Sequence, residues 1–217
     1  VLFGPRTAPL GKGAIPRKLS PLAQEAQKFK TAEEFVDAKF FTHGSRAKFD
    51  VFDTAKFQTG EGMGGAGRGA SFTNRLAVAK QYASKYGEGT DPYLYLTRRE
   101  GLNIMKVDAF RRDTKLWLKI ADTLDKDFPK TEGLGNKIRK AIKDKKFNQL
   151  QEELEYPLHW DVHDIFDDVM EKVGVDGLSF LDGTFRGSNT GVTIFKPEKL
   201  KLTRIRADQL TDFFNQV

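Results

Sequence analysis

The sequence predicts an α+β fold in which a helical segment separates two strand-rich halves. Short runs of β-branched and aromatic residues lie at Phe40–Thr42 and Tyr93–Thr97, and such runs return at 177–181 and 192–195. Between these halves, over about 111–172, apolar residues recur at helical spacing. Strands followed by helices and then by strands are typical of α+β domains.

Composition narrows the class of protein. The chain has 217 residues, 18 of them Phe, and is long enough for one domain with a substantial core. It has no cysteine, which excludes disulfide scaffolds, thiolate zinc sites and cysteine nucleophiles. No apolar run approaches the roughly 20 residues of a membrane span, so we expect a cytoplasmic protein without a membrane partner. The net charge of +6 favours anionic partners.

The first part of the chain divides into an arm and the start of a domain. Residues 1–19 lack periodicity and read as an extended arm, with the opening Val1–Pro5 resembling the remnant of a cleaved tag. A single domain is expected over 20–217, beginning with a helix capped by Ser20. Thr31 and Glu34 then form a capping-box pattern, which predicts a short helix over about 32–38.

The later elements follow from the same signals. A glycine-rich loop over 57–69 precedes a helix that we expect to be capped by Asn74. The run Leu102–Val107 predicts a strand, and the alternating run Leu200–Ile205 predicts a half-exposed strand. Residues 207–216 predict a terminal helix.

Three segments carry the pattern most informative about function. The first segment is Phe40 to Thr42, a predicted strand that is followed directly by His43-Gly44-Ser45. The second is the start of another strand, where two glycines come first, in Gly67-Arg68-Gly69-Ala70-Ser71-Phe72. The third is Tyr82, on the helix that follows. In order and spacing these segments resemble the NAD-binding half-site of the ADP-ribosyltransferase superfamily, in its poly-ADP-ribose-polymerase and diphtheria-toxin branch.

The resemblance implies a fold and a set of roles. The fold would be two split antiparallel β-sheets around an NAD cleft, with NAD as the substrate. His43 would hold the adenosine ribose, the Gly44 backbone would pair with the nicotinamide carboxamide, and Tyr82 would stack on the nicotinamide ring. The pocket would be completed by Ser45, Gly69, Ser71 and Phe72. A competing interpretation makes Tyr82 an ordinary core aromatic of an amphipathic helix.

The C-terminal half resembles the family more loosely. Residues 174–180 and 191–205 are similar to the strands that close phage and bacterial polyvalent-protein transferase domains. In this resemblance Gly191 occupies the position of the catalytic glutamate, a departure that removes preorganised negative charge from the site. Asp182 is the first candidate for a substitute carboxylate, with Glu61 and Glu100 as weaker ones. The 182–191 loop would face the acceptor through Arg186 and Asn189.

The resemblance therefore implies a mono-ADP-ribosyltransferase-like protein of phage or bacterial type. It would transfer ADP-ribose from NAD to a macromolecular acceptor, either protein or nucleic acid, in the host cytoplasm or the virion. A first alternative is a catalytically degenerate transferase fold that acts as a binding or virion-associated module.

A second alternative is a basic nucleic-acid-binding protein, for which the lysine-rich segment Lys137–Lys146 is the best anion patch. His159 and His163 stand at i, i+4, but no HExxH glutamate accompanies them, so no metal site is predicted.

Overall fold

The computed structural model describes residues 20–53, 69–84, 92–131, 133–146, 163–182 and 189–216. Seven strands lie in these ranges: β1 (Phe40–Ser45), β2 (Ala70–Thr73), β3 (Tyr93–Arg98), β4 (Ile104–Lys106), β5 (Gly177–Asp182), β6 (Asn189–Ile194) and β7 (Thr203–Arg206). The helices are α1 (Pro21–Ala26), α2 (Ala32–Lys39), α3 (Leu76–Ser84), α4 (Val107–Arg112), α5 (Thr114–Asp127), α6 (Leu134–Lys143), α7 (His163–Val173) and α8 (Leu210–Gln216). The predicted arm at 1–19 and the glycine-rich stretch up to residue 68 lie outside the described residues.

All seven strands form one mixed sheet in the order β4-β5-β6-β2-β1-β3-β7. The α+β class is therefore confirmed. The two antiparallel sheets implied by the resemblance are joined here into one, and the β4–β5 pair is parallel. β1 and β2 nevertheless meet through a single residue pair, Thr42 and Thr73, whereas β1 pairs with β3 along its whole length. The sheet thus has two halves, β4-β5-β6-β2 and β1-β3-β7, with a narrow junction.

The first helices begin as their capping residues predict. The Ser20 hydroxyl accepts a hydrogen bond from the Ala23 N–H at 3.0 Å, and the Thr31 hydroxyl accepts one from the Glu34 N–H at 3.1 Å. The capping box is incomplete, because the Glu34 carboxylate accepts from the N–H of Lys30 rather than from that of Thr31.

The cap predicted for α3 is wrong. The Leu76 N–H donates at 2.6 Å to the Asp37 carboxylate of α2, so a side chain distant in sequence caps this helix. The Asn74 side chain instead accepts from the N–H of Thr190, the second residue of β6. Asn74 therefore ties β2 to β6, and Asp37 fixes α3 against α2.

Several strand boundaries also differ from those predicted. β1 continues to Ser45, which puts His43 and Gly44 inside the strand rather than at its end, because β3 supplies partners as far as Tyr93. β4 starts only at Ile104 and gives way at Val107 to α4. β7 starts only at Thr203, the first residue of its run with a partner on β3.

Helices cover one face of each half of the sheet. α2, α3 and α8 pack on β1 and β3 around Phe35, Phe40, Leu94 and Leu96, which are at most 3% exposed. The helical segment predicted over 111–172 begins at Val107, and its helices α4 to α7 pack with β5 in a separate cluster around Trp117, Ile120, Leu124 and Phe166. The opposite face carries a third cluster that includes Phe41, Phe72, Val192 and Phe52.

Among these helices, and within the ranges described, none combines the length and the apolar character that a transmembrane helix requires.

Candidate functional site

The peptide groups of Gly44 face a part of β2 that does not pair with β1, and we call the place between these unpaired backbone segments the gap. The Arg99 N–H donates to the Lys39 carbonyl at 3.0 Å, so residues 39, 41, 43 and 45 direct their N–H and C=O groups toward β3. The residues between them, at 40, 42 and 44, direct theirs toward β2. Pairing with β2 stops after Thr42, and the Gly44 N–H and C=O therefore face a part of β2 that forms no ladder with β1.

Helix α3 closes one side of this gap. A side chain on Gly44 would overlap the carbonyl oxygen of Ala79 and lie 2.8 Å from its carbonyl carbon and 3.1 Å from the Ala83 nitrogen. Glycine is thus required here by close packing of β1 on α3. Tyr82, three residues after Ala79 and one before Ala83, is partly exposed on the same segment of the helix. The structure therefore brings Gly44 and the helix segment that carries Tyr82 together.

The imidazole of His43 bridges the two halves of the sheet. Side chains alternate along β1, so His43 points to the face opposite α3. Its Nδ1 lies 2.7 Å from the Ser71 carbonyl oxygen, and because a carbonyl can only accept, Nδ1 carries the proton. Burial lowers the pKa of His43, although the bond to Ser71 opposes this effect. At neutral pH the ring is neutral, and its Nε2 is a hydrogen-bond acceptor.

A segment that we call the strap, residues 46–53, folds over the His43 ring. The Phe52 ring lies edge-on to the imidazole with 5.1 Å between centroids, and the Phe49 centroid is 6.2 Å away. Phe72 and Tyr95 approach the same imidazole at 5.8 and 6.1 Å. His43 therefore lies within a cluster of aromatic rings and is only partly exposed.

Two side chains hold the strap in place. The Tyr95 hydroxyl donates to the Ala47 carbonyl at 2.8 Å and accepts from the Phe49 N–H at 2.9 Å. Phe49 also stacks on the Tyr95 ring, with centroids 3.9 Å apart and planes 5° from parallel. Arg204 of β7 donates to the Phe49 carbonyl at 3.0 Å and to the Asp50 carboxylate at 2.6 Å. Burial raises the pKa of Tyr95, which therefore stays protonated and able to donate.

The other predicted pocket residues line the same part of the sheet. Phe72 is 4% exposed and packs between His43 and Phe52. Ser71 contributes its carbonyl to His43, while the Ser45 hydroxyl accepts from the Ala47 N–H at the start of the strap. Gly69 lies where a side chain would be 2.8 Å from Thr193 of β6. Packing accounts for Gly69 and Phe72 without a ligand, and the Ser45 hydroxyl has a structural hydrogen bond, whereas Ser71 contributes a backbone group.

The position matched to the family's catalytic glutamate is covered by an aromatic ring. Gly191 pairs with Thr73 of β2 and with Phe180 of β5. A side chain at Gly191 would lie 2.6 Å from Cζ of Phe180. The Phe180 ring therefore lies where a longer side chain at position 191 would begin.

The pairing of the strands does not place the backbone of Asp182 at the level of Gly44 in the sheet. Asp182 pairs with Asn189, two residues farther from the gap than the pair of Phe180 and Gly191. Leu178 of β5 pairs with Thr193 of β6, and Thr193 pairs with Ser71 of β2, which lies beside the gap. Asp182 is four residues beyond Leu178 on β5, and its backbone is therefore about 13 Å along the strand from the level of the gap. Among the alternatives, Glu100 is exposed and pairs with Arg98, and Glu61 lies outside the described residues, as does Arg186.

Sequence patterns did not single out Phe49, Phe52, Tyr95, Arg204 or Phe180. One signal could have pointed to Tyr95 as a site residue. Every second residue of β3 lies on one face, so Tyr93, Tyr95 and Thr97 share a face, and Tyr95 pairs with His43 of β1. No local signal marks Phe180, whose role depends on the glycine opposite it. His159 lies outside the described residues, and those that are described contain no group of three or more ligand-type side chains arranged to hold a metal ion.

The chain was compared with protein-family models, with curated proteins and with solved structures, and no match was found in any of the three.

Proposed function

We propose that this protein binds NAD at the gap between β1 and β2 and acts as a mono-ADP-ribosyltransferase-like protein. The observation that carries the proposal is the orientation of Gly44, whose N–H and C=O face the gap beside the helix segment that bears Tyr82. A carboxamide has one donor group and one acceptor group and is complementary to the N–H and C=O of one residue in a strand edge. Nicotinamide could pair with Gly44 in the manner of a short added strand.

Two further side chains suit the rest of the ligand. A partly exposed Tyr82 supplies an aromatic face against which the nicotinamide ring can stack. His43 presents Nε2 as an acceptor for a ribose hydroxyl, because its other nitrogen is committed to Ser71. The same three residues fill these roles in the family that the sequence resembles.

Binding at His43 requires the strap to move. Phe52 and Phe49 lie against the imidazole, so the adenosine ribose reaches Nε2 only when these rings shift. A shift of the strap would also release Arg204 from Asp50, and its guanidinium would then be available for the diphosphate of NAD. The free protein is thus in a closed state, and part of the binding free energy is used to open it.

A second candidate function is NAD binding without turnover, and it is favoured by the packing of Phe180 over Gly191. Departure of nicotinamide leaves an oxocarbenium-like ribose that a nearby carboxylate would stabilise. Position 191 has none. If transfer occurs, Asp182 is the carboxylate that we propose for it, and this requires the end of β5 to move toward the gap, because its backbone lies about 13 Å along the strand from the row beside the gap. Asn189 and Arg186 would contact the acceptor.

The test is incubation of the protein with NAD labelled separately in its nicotinamide and adenylate parts, together with protein and nucleic-acid acceptors. Transfer predicts free nicotinamide and labelled acceptor in equal amounts, and loss of both in the Asp182→Asn variant. Saturable NAD binding without free nicotinamide would instead establish the binding-only function. The absence of both binding and turnover would refute the proposal as a whole.

A further inference from the structure

The net positive charge of the chain comes almost entirely from one helix and the turn after it. Residues 134–146, which comprise α6 and the turn after it, contain six basic residues and one acidic residue, a net charge of +5 against +6 for the entire chain. The rest of the protein is close to electrically neutral. A solvated surface of mixed charge does not require such a concentration, whereas a binding face for a polyanion does.

The lysines of this segment lie on the exposed side of the helix. Lys137, Lys140 and Lys143 follow one another at intervals of three residues, and all three are exposed. Neighbouring side chains at this interval are about 5–6 Å apart, which forms a continuous ridge of ammonium groups. Lys145 and Lys146 are exposed as well and extend the ridge beyond the end of the helix. We call this set of five lysines the α6 ridge.

Some lysines elsewhere in the described ranges are neutralised by an acidic side chain. Lys39, Lys80, Lys172, Lys196 and Lys199 each have a carboxylate partner. Within α6 itself, Arg139 points away from the ridge and contacts Asp122 and Asp125 of α5 at 2.6 Å each. No ion pair of a ridge lysine is found within the described part of the chain.

Near its end, the ridge contains a residue with an uncommon backbone conformation. Lys145 has a φ of 54°, and no other non-glycine residue in the described ranges has a positive φ. It closes the helix, and the N–H of Lys146 returns to the Ala141 carbonyl at 2.9 Å. This position is usually occupied by glycine or asparagine. Lys145 adopts this conformation and extends the ridge beyond the helix with an exposed ammonium group.

We propose that the α6 ridge binds the phosphate backbone of nucleic acid, independently of base sequence. Lysine ammonium groups at regular spacing on a helix suit phosphates, and this recognition releases counterions. A nucleic acid is favoured over a membrane surface because helices that lie on membranes insert their apolar side. The apolar side of α6, with Leu134 and Ile138, is buried against α5 and is not available. The site is separate from the NAD gap and does not depend on it.

The experiment is fluorescence anisotropy with a short labelled DNA duplex and an RNA strand, without NAD, at about 50 and about 200 mM salt. The variant Lys137→Gln, Lys140→Gln, Lys143→Gln removes three ridge charges. The control variant Lys28→Gln, Lys30→Gln, Lys201→Gln removes three exposed charges elsewhere. Three phosphate contacts on duplex DNA correspond to a weakening of about 40-fold between these salt concentrations. The ridge variant should lose this dependence, and the control variant should keep it.

Equal binding by the ridge variant and the wild type, with both variants equally folded by circular dichroism, would overturn the proposal. So would the absence of nucleic-acid binding at the lower salt concentration. Vesicles with and without an acidic phospholipid form a further arm, and binding to the acidic vesicles but not to nucleic acid would also overturn it. None of these outcomes depends on whether NAD binds, so this proposal and the proposed function fail separately.

Discussion

At the scale of single residues, Gly44 meets two requirements at once. Its missing side chain lets α3 approach β1, and its peptide groups face the gap. The change Gly44→Ala should destabilise the fold by about 3 kcal/mol or more, because the added methyl overlaps backbone atoms that have no rotamer to adopt. Urea unfolding measures this free energy.

Gly101→Ala is the matched control for Gly44→Ala. It has a φ of 85° and nothing within 4 Å of an added methyl, so only the backbone conformation opposes the change. Its expected cost is about 1 kcal/mol. A loss of stability in Gly44→Ala no greater than that of Gly101→Ala would contradict the close packing of β1 on α3.

His43 predicts a specific pH dependence of stability. Burial lowers the pKa of the imidazole in the folded protein below its ordinary value of about 6.5. As the pH falls below about 6.5, the unfolded chain takes up a proton that the folded protein resists, so the free energy of unfolding falls, by at most about 1.4 kcal/mol per pH unit. His43→Asn keeps a donor near the Nδ1 position and cannot titrate. Unfolding curves between about pH 8 and pH 5 should show this extra loss in the wild type only, and parallel curves would refute it.

At the scale of elements, the strap is held mainly from β3. Tyr95→Phe removes the hydroxyl that bonds to Ala47 and Phe49, which should reduce stability by about 1–3 kcal/mol. The looser strap exposes the imidazole, so the pKa of His43 should rise and amide exchange over 47–52 should accelerate.

Tyr93→Phe is the control for the strap, since the Tyr93 hydroxyl makes no hydrogen bond within the described residues and lies on the same strand. Histidine titration and hydrogen exchange, both by NMR, separate the two variants. If amide exchange over 47–52 were equally fast in Tyr95→Phe and Tyr93→Phe, the Tyr95 hydroxyl would not be what holds the strap.

The hairpin of β5 and β6 predicts an interaction between two positions. Gly191→Glu should destabilise by about 1–3 kcal/mol because its side chain overlaps the Phe180 ring. Phe180→Ala should relieve part of this cost, giving a coupling of at least about 1 kcal/mol in a double-mutant cycle. Thr190→Glu, one residue earlier on β6, is the control without that overlap. Additive effects of the changes at 180 and 191 would count against the packing described.

Local chemistry predicted the elements whose causes are local. Ser20 and Thr31 cap the helices that their sequences indicate, and the spacing of apolar residues located α5. The cap of α3 could not be predicted in this way, because Asp37 lies 39 residues from its partner Leu76. The start of β7 also depends on a partner strand, which local alternation does not reveal.

At the scale of the whole molecule, the sheet explains why the candidate site could be predicted only in part. Motif spacing suggested one site for His43, Gly44, Ser71 and Phe72, and in the structure β1 and β2 are neighbouring strands with His43 hydrogen-bonded to Ser71. The aromatic cover over His43 and the ring over Gly191 arise from residues brought close by the sheet register. Such contacts depend on tertiary packing, which residue patterns alone do not encode.

Isothermal titration calorimetry with NAD tests whether NAD binds at the junction of the two halves of the sheet. We expect one saturable site in the wild type. The affinity should be at least about tenfold weaker, or lost, in Tyr82→Ala and in His43→Ala, because each change removes a ligand contact worth about 1.4 kcal/mol or more. Gln81→Ala, an exposed neighbour on α3, should bind as the wild type does. No binding heat in the wild type, or unchanged affinity in both site variants, would show that NAD does not bind at this junction.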